Sequence, residues 1–177
     1  MSVARPSWNL KEHWEIIAAT VVILLFNAWE HLPNMIPSHY TDITSVYWRE
    51  GIGQGGHLIP YSQFVFEYPV LVGVFVYLCS FTQVFVADFS TAMVRYTLSM
   101  DLILSLFSIG TVILLCKICD LLGKDKRRIW SRFLITPTFL MFPLFNWDMI
   151  AVFFLLLSIY LFLLGRKTLS GVALGLG

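Results

Sequence analysis

Residues 98–122 read LSMDLILSLFSIGTVILLCKICDLL, a stretch of 25 residues in which apolar side chains dominate. About 20 predominantly apolar residues are needed for a helix to cross the hydrocarbon core of a bilayer. The stretch therefore predicts a membrane-spanning helix. Comparable apolar runs occupy residues 14–31, 64–86, 129–145 and 147–164, and a sixth run begins near Thr168.

The composition agrees with a membrane protein. Charged residues make up 13% of the chain, against about 25% in soluble domains, and the mean hydropathy is +0.76. A chain of 177 residues holds about five or six spanning helices, so we expect an all-α, polytopic (multi-pass) protein of the cell membrane. Membrane lipids are then expected partners, and the net charge of +1 argues against nucleic acid as a partner.

The basic residues predict which loops face the cytoplasm. They cluster between the third and fourth runs and again after the fifth, at Lys117, Lys124, Lys126, Arg127, Arg128, Arg132, Arg166 and Lys167. The positive-inside rule places both of these loops in the cytoplasm. The turn at 146–148 and the long loop at about 32–63 are then expected on the outer face.

This assignment conflicts with a simple count of crossings. With a cytoplasmic N-terminus, two full crossings after the long loop would place the basic loop outside. We therefore expect that Tyr68–Phe85, which contains Pro69 and polar residues near its end, enters the membrane only partly. The alternative, with the N-terminus outside, would place the loop that contains Asp42 in the cytoplasm.

Asp42 is the first candidate for chemistry. Ile43, Val46 and Tyr47 recur at helical spacing, which predicts a short amphipathic helix over 43–50 at the membrane interface. Asp42 could cap this helix, which is a common role for aspartate. It could also act as a general base, and the two roles are compatible.

Three further acids are candidates, each with a structural alternative. Glu67 precedes Pro69 at the mouth of a predicted helix, where it could complement the helix dipole or contact a substrate. Asp148 could cap the helix that follows it. Asp101 lies at membrane depth, where ionisable groups are costly and are often functional.

Other patterns do not predict a cofactor. The glycine-rich stretch at 51–56 follows no strand and precedes no Lys-Ser/Thr pair, so a flexible external loop is favoured over a phosphate-binding loop. The histidines lack the spacing of metal ligands, and Asp42 has no second aspartate two residues away. We therefore expect no metal site and no cofactor.

The order of several short motifs resembles the first external loop of glycosyltransferase family 87. These motifs are Tyr40-Thr-Asp42-Ile, Val46-Tyr47, a glycine-rich run, Pro60-Tyr61 and Glu67-Tyr68-Pro69-Val-Leu-Val-Gly73. The resemblance continues at Asn146-Trp147-Asp148 and at Gly171-x-x-x-Gly175-x-Gly177, so it covers nearly the whole chain.

The resemblance implies a GT-C-like helical bundle whose long first external loop carries short interfacial helices. It implies an inverting, metal-independent transferase in which Asp42 is the general base. The donor would be a sugar, most simply mannose, on a polyprenyl phosphate, and the acceptor a lipid or glycan on the outer face. The candidate substrate contacts are Tyr40, Tyr47, Tyr61, Glu67, Tyr68, Asn146 and Asp148.

The chain departs from the family pattern, which leaves alternatives open. Family members have many more helices, and the basic residue expected soon after the last glycines is absent. We therefore expect residues 1–177 to be a single transmembrane domain that is the N-terminal part of a larger GT-C domain. The alternative is a non-catalytic membrane subunit or lipid-binding scaffold. A third reading is a transporter in which Asp101 is the coupling acid.

Overall fold

The structure is a computed structural model that describes residues 12–33, 40–53 and 57–177. Part of the glycine-rich stretch, residues 54–56, therefore lies outside the described residues. The described helices are α1 (Trp14–His31), α2 (Asp42–Arg49), α3 (Val70–Ser80), α4 (Phe89–Leu121), α5 (Arg127–Ile129), α6 (Pro137–Met141), α7 (Asp148–Leu163) and α8 (Lys167–Leu176). The described residues contain no strand, only an isolated bridge between Pro60 and Phe64, so the all-α prediction is confirmed for them.

Helix α4 is the longest element, with 33 residues. It begins where the Asp88 carboxylate accepts a hydrogen bond from the Thr91 backbone N–H at 2.7 Å, which caps its first turn. Within the described part of the chain, it is the one helix long and apolar enough to cross a membrane. Residues 98–122, the stretch that predicted a spanning helix, lie within or directly after it.

The other long helices pack along α4. Helix α1 runs antiparallel to it, since His13 at the start of α1 lies 3.2 Å from Asp120 near the end of α4. Helix α7 runs parallel to α4, because the ring of Phe107 packs on Phe153 with centroids 5.2 Å apart and Lys117 lies over Tyr160. Helix α8 returns along α7.

The two ends of α4 contact different parts of the chain. Near its last turn, Asp120 forms an ion pair with Lys126 at 3.3 Å. In its first half, Met100 accepts a hydrogen bond from the Trp147 indole N–H at 3.3 Å. Twenty residues separate Met100 from Asp120, or about 30 Å along the axis. The basic segment after α4 and the residues around Trp147 therefore lie far apart.

Helix α3 is short, and both of its flanks contact the α2 region. Just before α3, Tyr68 bonds to Asp42, and just after it, the Gln83 side chain accepts a hydrogen bond from the Tyr47 hydroxyl at 2.5 Å. A helix of 11 residues covers only about 16 Å. This length is about half the thickness of the hydrocarbon core of a bilayer, and the partial insertion of residues 68–85 stays a prediction.

The fourth apolar run, at 129–145, is not the single helix that the sequence suggested. Helix α5 continues as a π-helical turn at Trp130–Leu134, and α6 begins only after Thr136. Pro137 occupies the first position of α6, where the backbone N–H that proline lacks would have no partner within the helix. The same proline prevents the preceding helical segment from continuing into α6. The side-chain N–H of Asn27 donates to the Leu140 carbonyl at 2.8 Å, so α1 satisfies part of the interrupted backbone.

Of the two roles considered for Asp42, the structure does not bear out the role as cap of α2. Helix α2 includes Asp42 as its first residue, and the Thr41 hydroxyl caps it by accepting a hydrogen bond from the Thr44 N–H at 3.1 Å. Thr41, with its extended backbone, satisfies an N–H of the first helical turn that would otherwise lack a partner, as an aspartate cap would have done. The Asp42 carboxylate is therefore not needed as the cap. Within the described part of the long loop, α2 is the single helix longer than one turn.

Candidate functional site

Asp42 and Tyr68 meet at the centre of the candidate site. The Tyr68 hydroxyl donates a hydrogen bond to Asp42 Oδ2 at 3.1 Å. Both side chains are half-buried, and Asp42 lies in the first turn of α2, where the positive end of the helix dipole favours a carboxylate. Among the described residues, the Tyr68 hydroxyl is the one side-chain donor to the Asp42 carboxylate, which leaves its other oxygen open as an acceptor.

Contacts with neighbouring residues hold Tyr68 in position. The Tyr61 hydroxyl lies within 2.6 Å of the Tyr68 carbonyl and within 2.7 Å of the Pro69 carbonyl. On the other side, the Tyr68 ring packs edge-on against Trp147, with centroids 4.6 Å apart. Trp147 is itself 1% exposed, so it forms a rigid wall for the site.

The turn before α7 supplies the opposite side of the site. The Asp42 backbone N–H donates to the Phe145 carbonyl at 3.1 Å, which ties the start of α2 to this turn. The Asn146 side chain donates to Asp148 Oδ2 at 2.8 Å and accepts from the Asp148 N–H at 3.1 Å. Asp148 is thus oriented by Asn146, and it begins α7 without capping it by its own side chain. The structure therefore does not bear out the capping role considered as an alternative for Asp148.

The phenol of Tyr68 lies in a negatively charged part of the site. Burial raises the pKa of Tyr68 above its usual value, and the negative charges of Asp42, Asp148 and Glu67 raise it further, together with the hydrogen bond to Asp42. Tyr68 therefore stays protonated and remains a donor to Asp42 across the physiological pH range. Arg49, which is exposed and bonded to Glu50 at 2.6 Å, lies close enough to sense the charge of Glu67.

The remaining predicted contacts have different positions. Tyr40 is exposed, and its ring packs on Phe145 with centroids 5.8 Å apart, so it borders the site. Tyr61 acts behind Tyr68, as described above. Tyr47 does not line the site: it is 0% exposed, its hydroxyl bonds to Gln83, and burial raises its pKa to about 12. The amphipathic period of α2 points Tyr47 into the core, which corrects its assignment as a substrate contact.

A largely apolar cavity of about 640 Å³ is lined in part by Asn146 and Asp148. Its walls come from the interrupted segment before α7 and from the first turns of α7. They include Arg132, Phe133, Thr136, Phe139, Phe142 and Met149. The break of the fourth apolar run thus produces a groove where a continuous helix would have packed against α7.

Sequence reasoning missed three contributors to this site. The Phe145 carbonyl positions Asp42, the Trp147 ring supports Tyr68, and Arg132 lines the groove although the sequence placed it only in a basic cluster. Trp147 had one available signal, since it sits between Asn146 and Asp148, which were both candidates. A backbone carbonyl such as that of Phe145 leaves no signal in the sequence.

The described residues contain no group of three histidine, cysteine or acidic side chains arranged to hold a metal ion. No protein-family model matches the chain, and no curated protein or solved structure is significantly similar to it.

Proposed function

We propose that this protein is a membrane glycosyltransferase that moves a sugar, most simply mannose, from a polyprenyl phosphate to a hydroxyl of a lipid or glycan. The observation that carries the proposal is the Asp42–Tyr68 pair: a half-buried carboxylate, held through one oxygen, at the start of an interfacial helix. The sequence resemblance to glycosyltransferase family 87 assigns the catalytic acid to the same residue.

The proposed reaction is a single displacement with inversion. The free oxygen of Asp42 takes the proton of the acceptor hydroxyl while the acceptor oxygen attacks the anomeric carbon of the sugar. The bond from that carbon to the phosphate oxygen breaks, and polyprenyl phosphate leaves with the electron pair. The sugar carbon passes through oxocarbenium-like character, which nearby carboxylates such as Asp148 and Glu67 would stabilise.

The groove supports a lipid-linked donor. It is lined mostly by apolar and aromatic side chains, and its volume of about 640 Å³ suits several isoprene units. Its lining includes Asp148 and also Phe145, whose carbonyl accepts a hydrogen bond from the backbone N–H of the proposed base. In this arrangement the prenyl chain lies along Phe133, Phe139 and Met149, and the sugar lies towards Asp42. The donor is a substrate, and the proposed mechanism needs no cofactor.

The membrane arrangement is part of the proposal. Helix α4 supplies the element long enough to cross, and α1, the interrupted segment and α7 would cross beside it. The basic segment near Lys126 would then face the cytoplasm, and Asp42 would face the outer side. The distance of about 30 Å between Met100 and Asp120 along α4 fits the thickness of the hydrocarbon core.

The second candidate is a non-catalytic subunit or lipid-binding scaffold, which the groove would also suit. Incubation of the purified protein with radiolabelled polyprenyl-phosphate mannose and membrane glycolipids tests the choice. An enzyme releases polyprenyl phosphate and labels the acceptor, and its activity depends on Asp42. A scaffold binds the donor without transfer, and a transporter would depend on Asp101 instead.

A further inference from the structure

Asp101 lies outside the candidate site and has an unusual environment. It sits on α4, twelve residues after Phe89 and so about 18 Å along the helix. Its side chain is buried, with 3% exposure, and neither of its carboxylate oxygens has a hydrogen-bond partner among the described residues. Buried carboxylates in proteins are normally paired or fully hydrogen-bonded, because an isolated one is costly.

A cleft between α1 and α4 leads to this carboxylate. The cleft has a volume of about 250 Å³ and is lined by nine residues, of which Asp101 and Ser105 alone carry side-chain oxygens. The others are apolar, and Leu25, Leu98 and Leu102 are exposed along its rim. The cleft therefore combines one acidic group at its base with apolar walls.

The lining decides which class of occupant fits. A metal ion such as calcium needs six to eight oxygen ligands, and the cleft offers the oxygens of only two side chains. A purely apolar group, such as a lipid chain, would fill the walls but leave the carboxylate unpaired. A lysine or arginine side chain meets both demands, since its methylene stem lies along apolar surface and its charged head reaches the acid.

The occupant must also come from within the membrane. The cleft opens on the apolar flanks of α1 and α4, and α4 is the described helix that can cross a bilayer. A helix placed there would cover Leu25, Leu98 and Leu102 while it delivers the basic side chain. We propose that the α1–α4 cleft is a docking site for a membrane-spanning helix of a partner protein, whose single lysine or arginine pairs with Asp101.

The test uses a designed probe helix. A peptide of about 20 leucines and alanines with one lysine near one end of the apolar stretch, at the depth of Asp101, and a matched peptide with leucine in its place, are labelled with an acceptor dye. The full chain, labelled with a donor dye, is reconstituted with each peptide in phosphatidylcholine vesicles, and energy transfer reports association. We expect the lysine peptide to associate about tenfold more tightly than the leucine peptide.

Substitutions in the protein test whether Asp101 causes the preference for the lysine peptide. Asp101→Asn and Asp101→Leu should remove it, while Asp88→Asn, which changes an exposed carboxylate at the start of the same helix, should leave it intact. Equal association of the two peptides with the unmodified chain would overturn the proposal without any variant, and would leave lipid chains as the occupant. A lysine preference that survives in both Asp101 variants would overturn it as well.

Discussion

The hydroxyl of Tyr68 donates to Asp42 across 26 positions of sequence, at 3.1 Å. This bond joins the first residue of α2 to the segment just before α3. It fixes the direction of the carboxylate and occupies only one of its oxygens. A general base needs both properties, since it must be oriented and must keep an acceptor oxygen free for the substrate proton.

Tyr68→Phe should therefore reduce sugar transfer without removing it. Hydrogen bonds to charged groups contribute about 1.5–3 kcal/mol, so we expect kcat to fall about ten- to a hundredfold. KM for the donor should change little, because the ring still packs on Trp147. Steady-state kinetics with a lipid-linked sugar measures both constants.

The matched control for Tyr68→Phe is Tyr77→Phe. Tyr77 is a half-buried tyrosine on α3 whose ring packs on Phe81. Its variant should keep normal kinetics. If Tyr77→Phe and Tyr68→Phe reduce kcat equally, the loss reflects general damage to this region and the orienting role of Tyr68 is wrong.

Gly73→Ala tests the support behind Tyr68. A Cβ at Gly73 would overlap the ring of Tyr61 and lie 2.8 Å from its hydroxyl, so Tyr61 would have to move. Tyr61 holds the carbonyls of Tyr68 and Pro69, and its displacement should weaken transfer. Gly171→Ala, where a Cβ meets nothing within 4 Å, should be neutral in the same assay. Unchanged transfer in Gly73→Ala would show that this support is not needed.

Asp148→Asn and Glu67→Gln should weaken transfer and not eliminate it. Both acids act on the site through their charge, as the raised pKa of Tyr68 indicates, and neither bonds directly to Asp42. We expect smaller losses than for any substitution of Asp42. Initial rates at saturating donor give the comparison, and complete inactivity of Asp148→Asn would instead identify Asp148 as the base.

Tyr47→Phe should destabilise the fold. The buried Tyr47 hydroxyl donates to Gln83, whose amide in turn donates to the Ile52 carbonyl at 2.7 Å. Leaving the Gln83 oxygen unpaired costs about 1–3 kcal/mol of unfolding free energy. Thermal unfolding in detergent measures the change, with the exposed Tyr40→Phe as a control that should leave the midpoint unaltered.

The same tyrosine gives a pH dependence. Burial raises the pKa of Tyr47 to about 12, above the value of about 10 for an exposed phenol. Its contribution to stability is therefore complete below about pH 10 and is lost as the pH rises through about 12. Absorbance titration of the phenolates should show one fewer late-titrating tyrosine in Tyr47→Phe. An identical titration curve would contradict the assignment.

Local patterns in the sequence predicted much of this arrangement. The long apolar stretch predicted α4, the spacing of Ile43, Val46 and Tyr47 predicted α2, and the proline after Tyr68 predicted the start of α3. These features depend on neighbours in the sequence, where periodicity and helix-start signals are informative.

The errors arose where distant residues decide the outcome. The same period that predicted α2 also turns Tyr47 into the core, but only its pairing with Gln83 shows that this face is buried. The break before α6 has a local signal in Pro137, but the Leu140 carbonyl in the last turn of α6 is satisfied by Asn27 of α1. No local pattern reveals that partner.

Asp42→Asn asks whether Asp42 is the general base of the proposed transfer. The amide keeps the size of the side chain and can still accept a bond from Tyr68, but it cannot take the acceptor proton. We predict that transfer falls by about 10²–10⁴-fold or more while donor binding and membrane insertion persist. Asp88→Asn, which alters only an exposed cap, should transfer normally. Wild-type transfer by Asp42→Asn, with the same donor and acceptor, would contradict the proposed mechanism.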